Sequence, residues 1–169
     1  MATSIRLASD FACNLTVVNQ PPDPAVTIDL AGHTLTGRIE VDRGQAIITH
    51  GTVTSDVDPF AESLTVVHVH VEGDIGGAGC CIFVEGALGV RNSVVDGQVG
   101  SNAGPLSGVV ITRNVIHGGF RLTDDLEVLR FKISHDVISG SPAAGIAIDV
   151  YGDIGPRVTR PATTRSPSR

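Results

Sequence analysis

Aliphatic side chains recur along this chain in one ten-residue cadence: aliphatic, any, aliphatic, four of any kind, aliphatic, any, then Gly or Ser. It is written by Ile28–Leu30–Leu35–Gly37, Ala46–Ile48–Val53–Ser55, Leu64–Val66–Val71–Gly73, Leu88–Val90–Val95–Gly97, Val109–Ile111–Ile116–Gly118 and Phe131–Ile133–Ile138–Gly140. Successive closing residues lie 18, 18, 24, 21 and 22 apart. That is the period of a coil that winds once and stacks on the coil before it. In each cadence the first two aliphatics point inward from one strand, the middle residues turn a corner, and the third opens a second inward face. A third strand fits between cadences, at Ile39–Val41, Ile82–Val84, Phe120–Leu122 and Ile146–Ile148, with alternate residues outside. The pattern predicts an all-β fold, a single-stranded right-handed parallel β-helix, or β-solenoid, of about six to seven coils. A left-handed solenoid would show a stricter hexapeptide repeat.

The same reading divides the chain into three. Residues 1–25 hold an entry strand pair at Ile5–Leu7 and Leu15–Val17 and end in a turn at Pro21–Pro22–Asp23–Pro24. Residues 26–155 carry the repeats, with loops expected around Phe60 to Ser63 and Leu106 to Gly108, where the third strand is irregular. Residues 156–169, rich in Arg, Pro and Ser with no apolar period, read as a flexible tail.

Composition sharpens this picture. Aromatic residues make up only 4% of the chain and Trp is absent, as a narrow core of stacked Val, Ile and Leu requires. The net charge of −6 hides an asymmetry, because residues 157–169 hold four arginines and no acid, leaving the rest at −10. A body so acidic argues against a nucleic-acid partner, which needs Lys and Arg to displace counterions. It suits a neutral glycan, a cation, or a polyanion held through calcium. Cys13, Cys80 and Cys81 form no zinc-type CxxC pair; a bridge from Cys13 to one of the others requires export. Residues 1–25 lack a signal-peptide pattern, and no apolar run reaches the length of a membrane span.

The segments Leu7–Ala8–Ser9–Asp10–Phe11–Ala12–Cys13 and Val26–Thr27–Ile28–Asp29–Leu30–Ala31–Gly32–His33–Thr34–Leu35–Thr36–Gly37 resemble the opening coils of bacterial right-handed β-helix proteins. With the corner residue Asn114 in Ile111–Thr112–Arg113–Asn114–Val115–Ile116, the chain resembles the pectate-lyase-like superfamily. The resemblance implies a secreted or cell-surface protein handling polysaccharide, and admits lyases, hydrolases, uronate epimerases and phage spikes. Fold likeness alone assigns no reaction. Asp124–Asp125 lacks the companion motifs of polygalacturonases. Asp58–Pro59–Phe60–Ala61–Glu62 carries Phe60 where mannuronan epimerases carry a proton-transferring His.

In the enzymes that the fold resembles, substrate lies along the third-strand sheet. The outward residues expected there are Glu40, Asp42, Phe83, Glu85, Arg121, Thr123, Ala147 and Asp149. Glu40, Asp42, Glu85 and Asp149 could serve as acid and base on a glycosidic bond, or bind Ca2+. Arg121 could hold a uronate carboxylate. Phe83 could stack on a sugar face, and Thr123 could hydrogen-bond a hydroxyl. A corner column reads Gly32, His50, His68, Asn92, Arg113 and His135, in which His50 and His68, with His70 nearby, could approach a shared divalent metal. A column just before the closing residue holds Glu72, Asp96 and His117, although the longer spacing after Gly73 weakens its alignment.

These readings favour a carbohydrate-associated protein presenting a flat strand face for polysaccharide binding or modification. Two alternatives stand: a polysaccharide lyase, hydrolase or epimerase, and a structural or assembly module without catalysis. No amphipathic helix caps either coil end, so a homo-oligomer or docking through the open ends is also expected.

Overall fold

The computed structural model describes residues 4–19, 23–76, 84–101, 108–122, 131–140 and 146–148. No helix occurs among them; every strand pairing is parallel. The chain is a parallel β-solenoid of about five turns, slightly fewer than expected. Among the described residues, the strands of the first and last coils pair on one side only.

Three stacks of strands make the walls. The first runs through Ser4–Arg6, Val26–Asp29, the start of Gln45–Val53, Ala61–Val71, Val84–Arg91, Gly108–Thr112 and Phe131–Ser134. The second runs through Phe11–Ala12 and Thr34–Thr36, the ends of Gln45–Val53 and Ala61–Val71, then Val94–Val95, Val115–Ile116 and Val137–Ile138. The third joins Leu15–Val18, Ile39–Arg43 and Val57–Pro59, passes through Ile75, and continues as Val99–Ser101, Phe120–Leu122 and Ile146–Ile148.

Register follows the cadence from its second occurrence onward. Ala46, Leu64, Leu88, Val109 and Phe131 are aligned rung by rung, as are Ile48, Val66, Val90, Ile111 and Ile133. Of these, Ile48, Leu64, Val66, Leu88, Val90, Val109 and Ile111 are buried, and Ile39, Val57, Ile75, Val99 and Phe120 close the core from the third stack. Burying such columns is the main favourable term for a fold with few local contacts.

The corner between the first two stacks is left-handed: Ala31, His50, His68, Asn92, Arg113 and His135 have φ between 49° and 62°. One residue in that conformation re-aims the chain without ending the ladder. The expected corner column is therefore correct except at its start, where Ala31 precedes Gly32. The corner after the second stack explains the closing glycines. At Gly73, Gly97 and Gly118 an added Cβ would run into the preceding coil's corner, so stacking leaves no room for a side chain.

Four expectations change. The first cadence is displaced by two: Val26 and Ile28 align with Ala46 and Ile48, and Leu30 lies in a corner longer by two residues. The opening strands do not pair with each other; Ser4–Arg6 and Leu15–Val18 belong to different stacks of a complete first coil. Ala61–Ser63 is strand rather than loop, and Gly108 begins one, while Leu106 and Ser107 lie outside the described residues. The expected third strand at Ile82–Val84 is not in the third stack: Val84 pairs with Ala61 in the first, and Ile75 takes the third-stack place between Val57 and Val99. Ile82 and the tail from residue 156 lie outside the described residues.

Candidate functional site: the outer face of the third stack

Strand alternation turns Val57 and Val99 inward and leaves their neighbours outward. The outward column of the third stack therefore reads Thr16, Glu40, Asp58, Gly76, Gly100 and Arg121. Carboxylates occupy one part of it and a guanidinium another. Between them are two glycines whose packing forbids a side chain, since a Cβ at Gly76 would meet the Gly100 carbonyl and one at Gly100 would meet that of Arg121. Backbone without side chains fills two rungs there, and both glycines are buried. From Asp58 to Arg121 is three rungs, about 14 Å at the usual strand spacing.

Glu40 and Asp58 face each other across one rung. Arg38 spans them, with Nη2 3.4 Å from Glu40 Oε2 and Nη1 3.8 Å from Asp58 Oδ2. Burial nevertheless pushes the Asp58 carboxyl above its ordinary value, and the charges of Asp56, Glu40 and Asp74 push the same way against Arg38. The Asp58 carboxyl thus holds its proton more tightly than a free aspartate.

Asp56 and Asp74 have a structural task. Asp56 Oδ1 accepts the Asp74 backbone N–H at 2.8 Å, and Asp74 Oδ1 accepts that of Gln98 at 2.6 Å. Each side chain thereby caps the next coil's corner.

Of the residues expected on this face, Glu40, Asp42 and Arg121 are on third-stack strands, with Asp42 two residues beyond Glu40. Glu85 is not; it belongs to Val84–Arg91 in the first stack, where the register shifts between Val84 and Ala87. It was misplaced because Ile82–Val84 mimics the alternation that Ile75 and Val57–Pro59 supply. Phe83, Thr123 and Asp149 lie outside the described residues, as do Cys80, Cys81, Asp124 and Asp125. Sequence reasoning missed Arg38 and Asp58 as members of the face. A signal was present: the third strand begins two residues after each closing residue, at Ile39, Val57, Ile75, Val99 and Phe120.

His50 and His68 stack, with ring centroids 5.5 Å apart and planes 13° from parallel. His50 Nδ1 is also 3.4 Å from Asp29 Oδ1, and Arg6 reaches the other Asp29 oxygen at 3.5 Å. Chiefly a hydrogen bond from the Ala31 backbone, and then His50 and Arg6, hold the Asp29 carboxyl below its usual value against the opposing effect of burial. Among the described residues no group of three or more His, Cys, Asp or Glu is arranged to hold a metal ion.

The column before the closing residue keeps its register across the longer coil, because Val71, Val95, Ile116 and Ile138 remain aligned. It reads Glu72, Asp96, His117 and Ser139, and is linked by side-chain contacts: His70 Nε2 to Asp96 Oδ2 at 2.9 Å, Asp96 Oδ1 to His117 Nε2 at 3.9 Å, His117 Nδ1 to Ser139 Oγ at 3.2 Å.

Among the described residues no helix is long and apolar enough to cross a membrane. The chain matches no family model, no curated protein and no solved structure, so a functional reading has to rest on the geometry of these faces.

Proposed function

We propose that the third-stack face binds a polysaccharide chain, in the manner of the pectate-lyase-like β-helix proteins that the sequence resembles. The observation that carries this reading is one outward column of the third stack that holds Glu40 and Asp58 on one side and Arg121 on the other, with about 14 Å from Asp58 to Arg121. These carboxylates and the guanidinium offer acceptors and donors to hydroxyls, and Arg121 gives a uronate carboxylate a partner. Calcium could bridge Glu40 or Asp58 to an acidic polymer. A polysaccharide ligand is consistent with a place outside the cell or at its surface.

A catalytic version uses the same face. Asp58, whose carboxyl burial pushes above its ordinary value, stands one rung from Glu40, and two carboxyls so placed are the groups that general acid and base work uses. Lyase, hydrolase and epimerase chemistry all remain open to it.

The test is a glycan-array screen with and without calcium, followed on any hit by assays for cleavage and for new unsaturated ends. Binding weakened at least tenfold by Glu40→Gln or Arg121→Ala supports the reading. Silence across neutral and uronate glycans in both conditions overturns it.

A second reading, assembly through an open coil end, is favoured by one observation. Ile5, Phe11 and Val18, all in the first coil, are exposed, and each strand of that coil pairs on one side only. A concentration-dependent increase in mass by light scattering, abolished by Val18→Lys, supports that reading; a monomer at every concentration removes it.

A further inference from the structure

The outer face of the second stack has two columns side by side. One reads His70, Val94, Val115 and Val137; the other, two residues on in each coil, reads Glu72, Asp96, His117 and Ser139. The valine column is unusual for an outward face: Val137 is 61% exposed and Val94 is exposed as well. Two exposed valines with a half-buried one between them, beside a Ser–His pair within hydrogen-bond distance and an Asp within ion-pair distance of that His, are two independent observations at one place.

We infer that this face is an acyl-ester hydrolysis site, with Ser139 as nucleophile, His117 as general base, Asp96 facing the base, and the valine strip receiving the acyl chain. The assignment does not depend on sugar binding by the third stack. Its geometry follows from the fold: residues of one column in successive coils stand one strand spacing apart, so Asp96, His117 and Ser139, distant in sequence, become neighbours.

His117 uses both ring nitrogens. Nδ1 is 3.2 Å from Ser139 Oγ, within hydrogen-bond reach, and Nε2 is 3.9 Å from Asp96 Oδ1, within ion-pair reach. With the proton on Nε2, Nδ1 accepts from the serine hydroxyl, the tautomer a base needs. Asp96 is itself held from the other side, where His70 Nε2 lies 2.9 Å from Oδ2. Nucleophile, base and orienting carboxylate within reach of one another are the signature of an activated serine, and such contacts commonly tighten once substrate is bound.

The chemistry balances with water as the only co-reactant. Ser139 Oγ attacks the ester carbonyl carbon while its proton passes to His117 Nδ1. The bond from that carbon to the alcohol oxygen breaks, and His117 returns the proton to the departing alcohol. Water, giving its proton to the same nitrogen, then attacks the acyl carbon; the Ser139 ester bond breaks, the carboxylic acid leaves and the serine hydroxyl is restored. Asp96 stabilises the imidazolium present between the transfers. Because the face is open, with His70, Asp96 and His117 all exposed, the substrate class is an ester displayed on a larger molecule or a small soluble ester, and turnover is expected to be slow.

The experiment treats the full chain with a fluorophosphonate probe, maps the labelled peptide, and measures hydrolysis of p-nitrophenyl acetate and p-nitrophenyl octanoate. Label is expected on Ser139, with turnover falling at least tenfold in Ser139→Ala and His117→Gln. Asp96→Asn should lower kcat, and Val137→Ser should raise KM for the octanoate more than for the acetate. Ser139→Cys, which keeps the shape, should be alkylated by iodoacetamide at least threefold faster than the same cysteine in a His117→Gln background. Absence of label at Ser139, hydrolysis by Ser139→Ala at the unsubstituted rate, or alkylation indifferent to His117 overturns the assignment. Failure of the glycan screen leaves it standing, and its own failure leaves the polysaccharide reading standing.

Discussion

Both the backbone N–H and the side-chain amide of Asn114 donate to a single oxygen of Asp136 in the next coil, at 2.7 and 2.9 Å. On its other side Asn114 Oδ1 accepts the Ser93 N–H at 3.0 Å, and Nδ2 also donates to the Val90 carbonyl at 2.9 Å. The side chain is 2% exposed, so it is a polar rung inside the solenoid wall, tying three coils together. Truncation strands a buried donor and a buried acceptor. Asn114→Ala is expected to cost about 2–4 kcal/mol, read as a fall in the urea midpoint. A loss below about 1 kcal/mol would mean that water replaces the rung.

Two glycines in neighbouring coils should respond in opposite ways to one added methyl group. A Cβ at Gly118 would collide with the backbone of Gly97 in the preceding coil, and relief requires the coils to separate. Gly118→Ala is expected to cost more than about 2 kcal/mol. At Gly89 the nearest atom is the Thr65 hydroxyl at 3.5 Å, an ordinary contact. Gly89→Ala should therefore be neutral or stabilising by up to about 1 kcal/mol, through the stiffer unfolded chain. Thermal unfolding of the pair checks both, and equal shifts would sink the argument.

Leu30 shows how a long corner is filled. It is buried with its side chain over Gly51, where a Cβ would meet Leu30. Shortening Leu30 to Ala opens a cavity that the neighbouring coil's glycine cannot fill, at an expected cost of about 2–5 kcal/mol in chemical denaturation. Exposed Phe60→Ala is the comparison, expected to shift the midpoint less.

The same residue marks where sequence reading slipped. Leu30 satisfies the cadence as well as Ile28 does, and periodicity alone cannot tell a strand residue from an apolar residue packed in a corner. Elsewhere the pattern was legible because core columns and closing glycines answer to stacking, which constrains each coil in the same way. Outward residues answer to no such rule. Glu85 was placed by an alternation that Ile82–Val84 shares by coincidence, whereas Asp58 was passed over because the second coil's third strand read as irregular around Phe60 to Ser63. Asp96 and His117 were visible as a column, but their link to Ser139 emerged only from the register that aligns Val95, Ile116 and Ile138.

Asp58 gives the pH dependence a definite sign. Its carboxyl is pushed above 3.8 by burial first, then by Asp56, while Arg38 opposes. A group whose folded pKa is raised binds more protons folded than unfolded, so its contribution is fully present below 3.8 and is lost as pH rises through the folded value. Asp58→Asn removes that loss. The variant should be more stable than the unsubstituted chain at neutral pH, by at most about 1 kcal/mol given partial exposure, with the gap closing on acidification. Arg38→Ala removes the opposing charge and should raise the Asp58 carboxyl further, which carboxyl NMR titration reads directly. A variant less stable at pH 7, or a carboxyl that falls when Arg38 is removed, would show that the salt bridge and not burial governs this side chain.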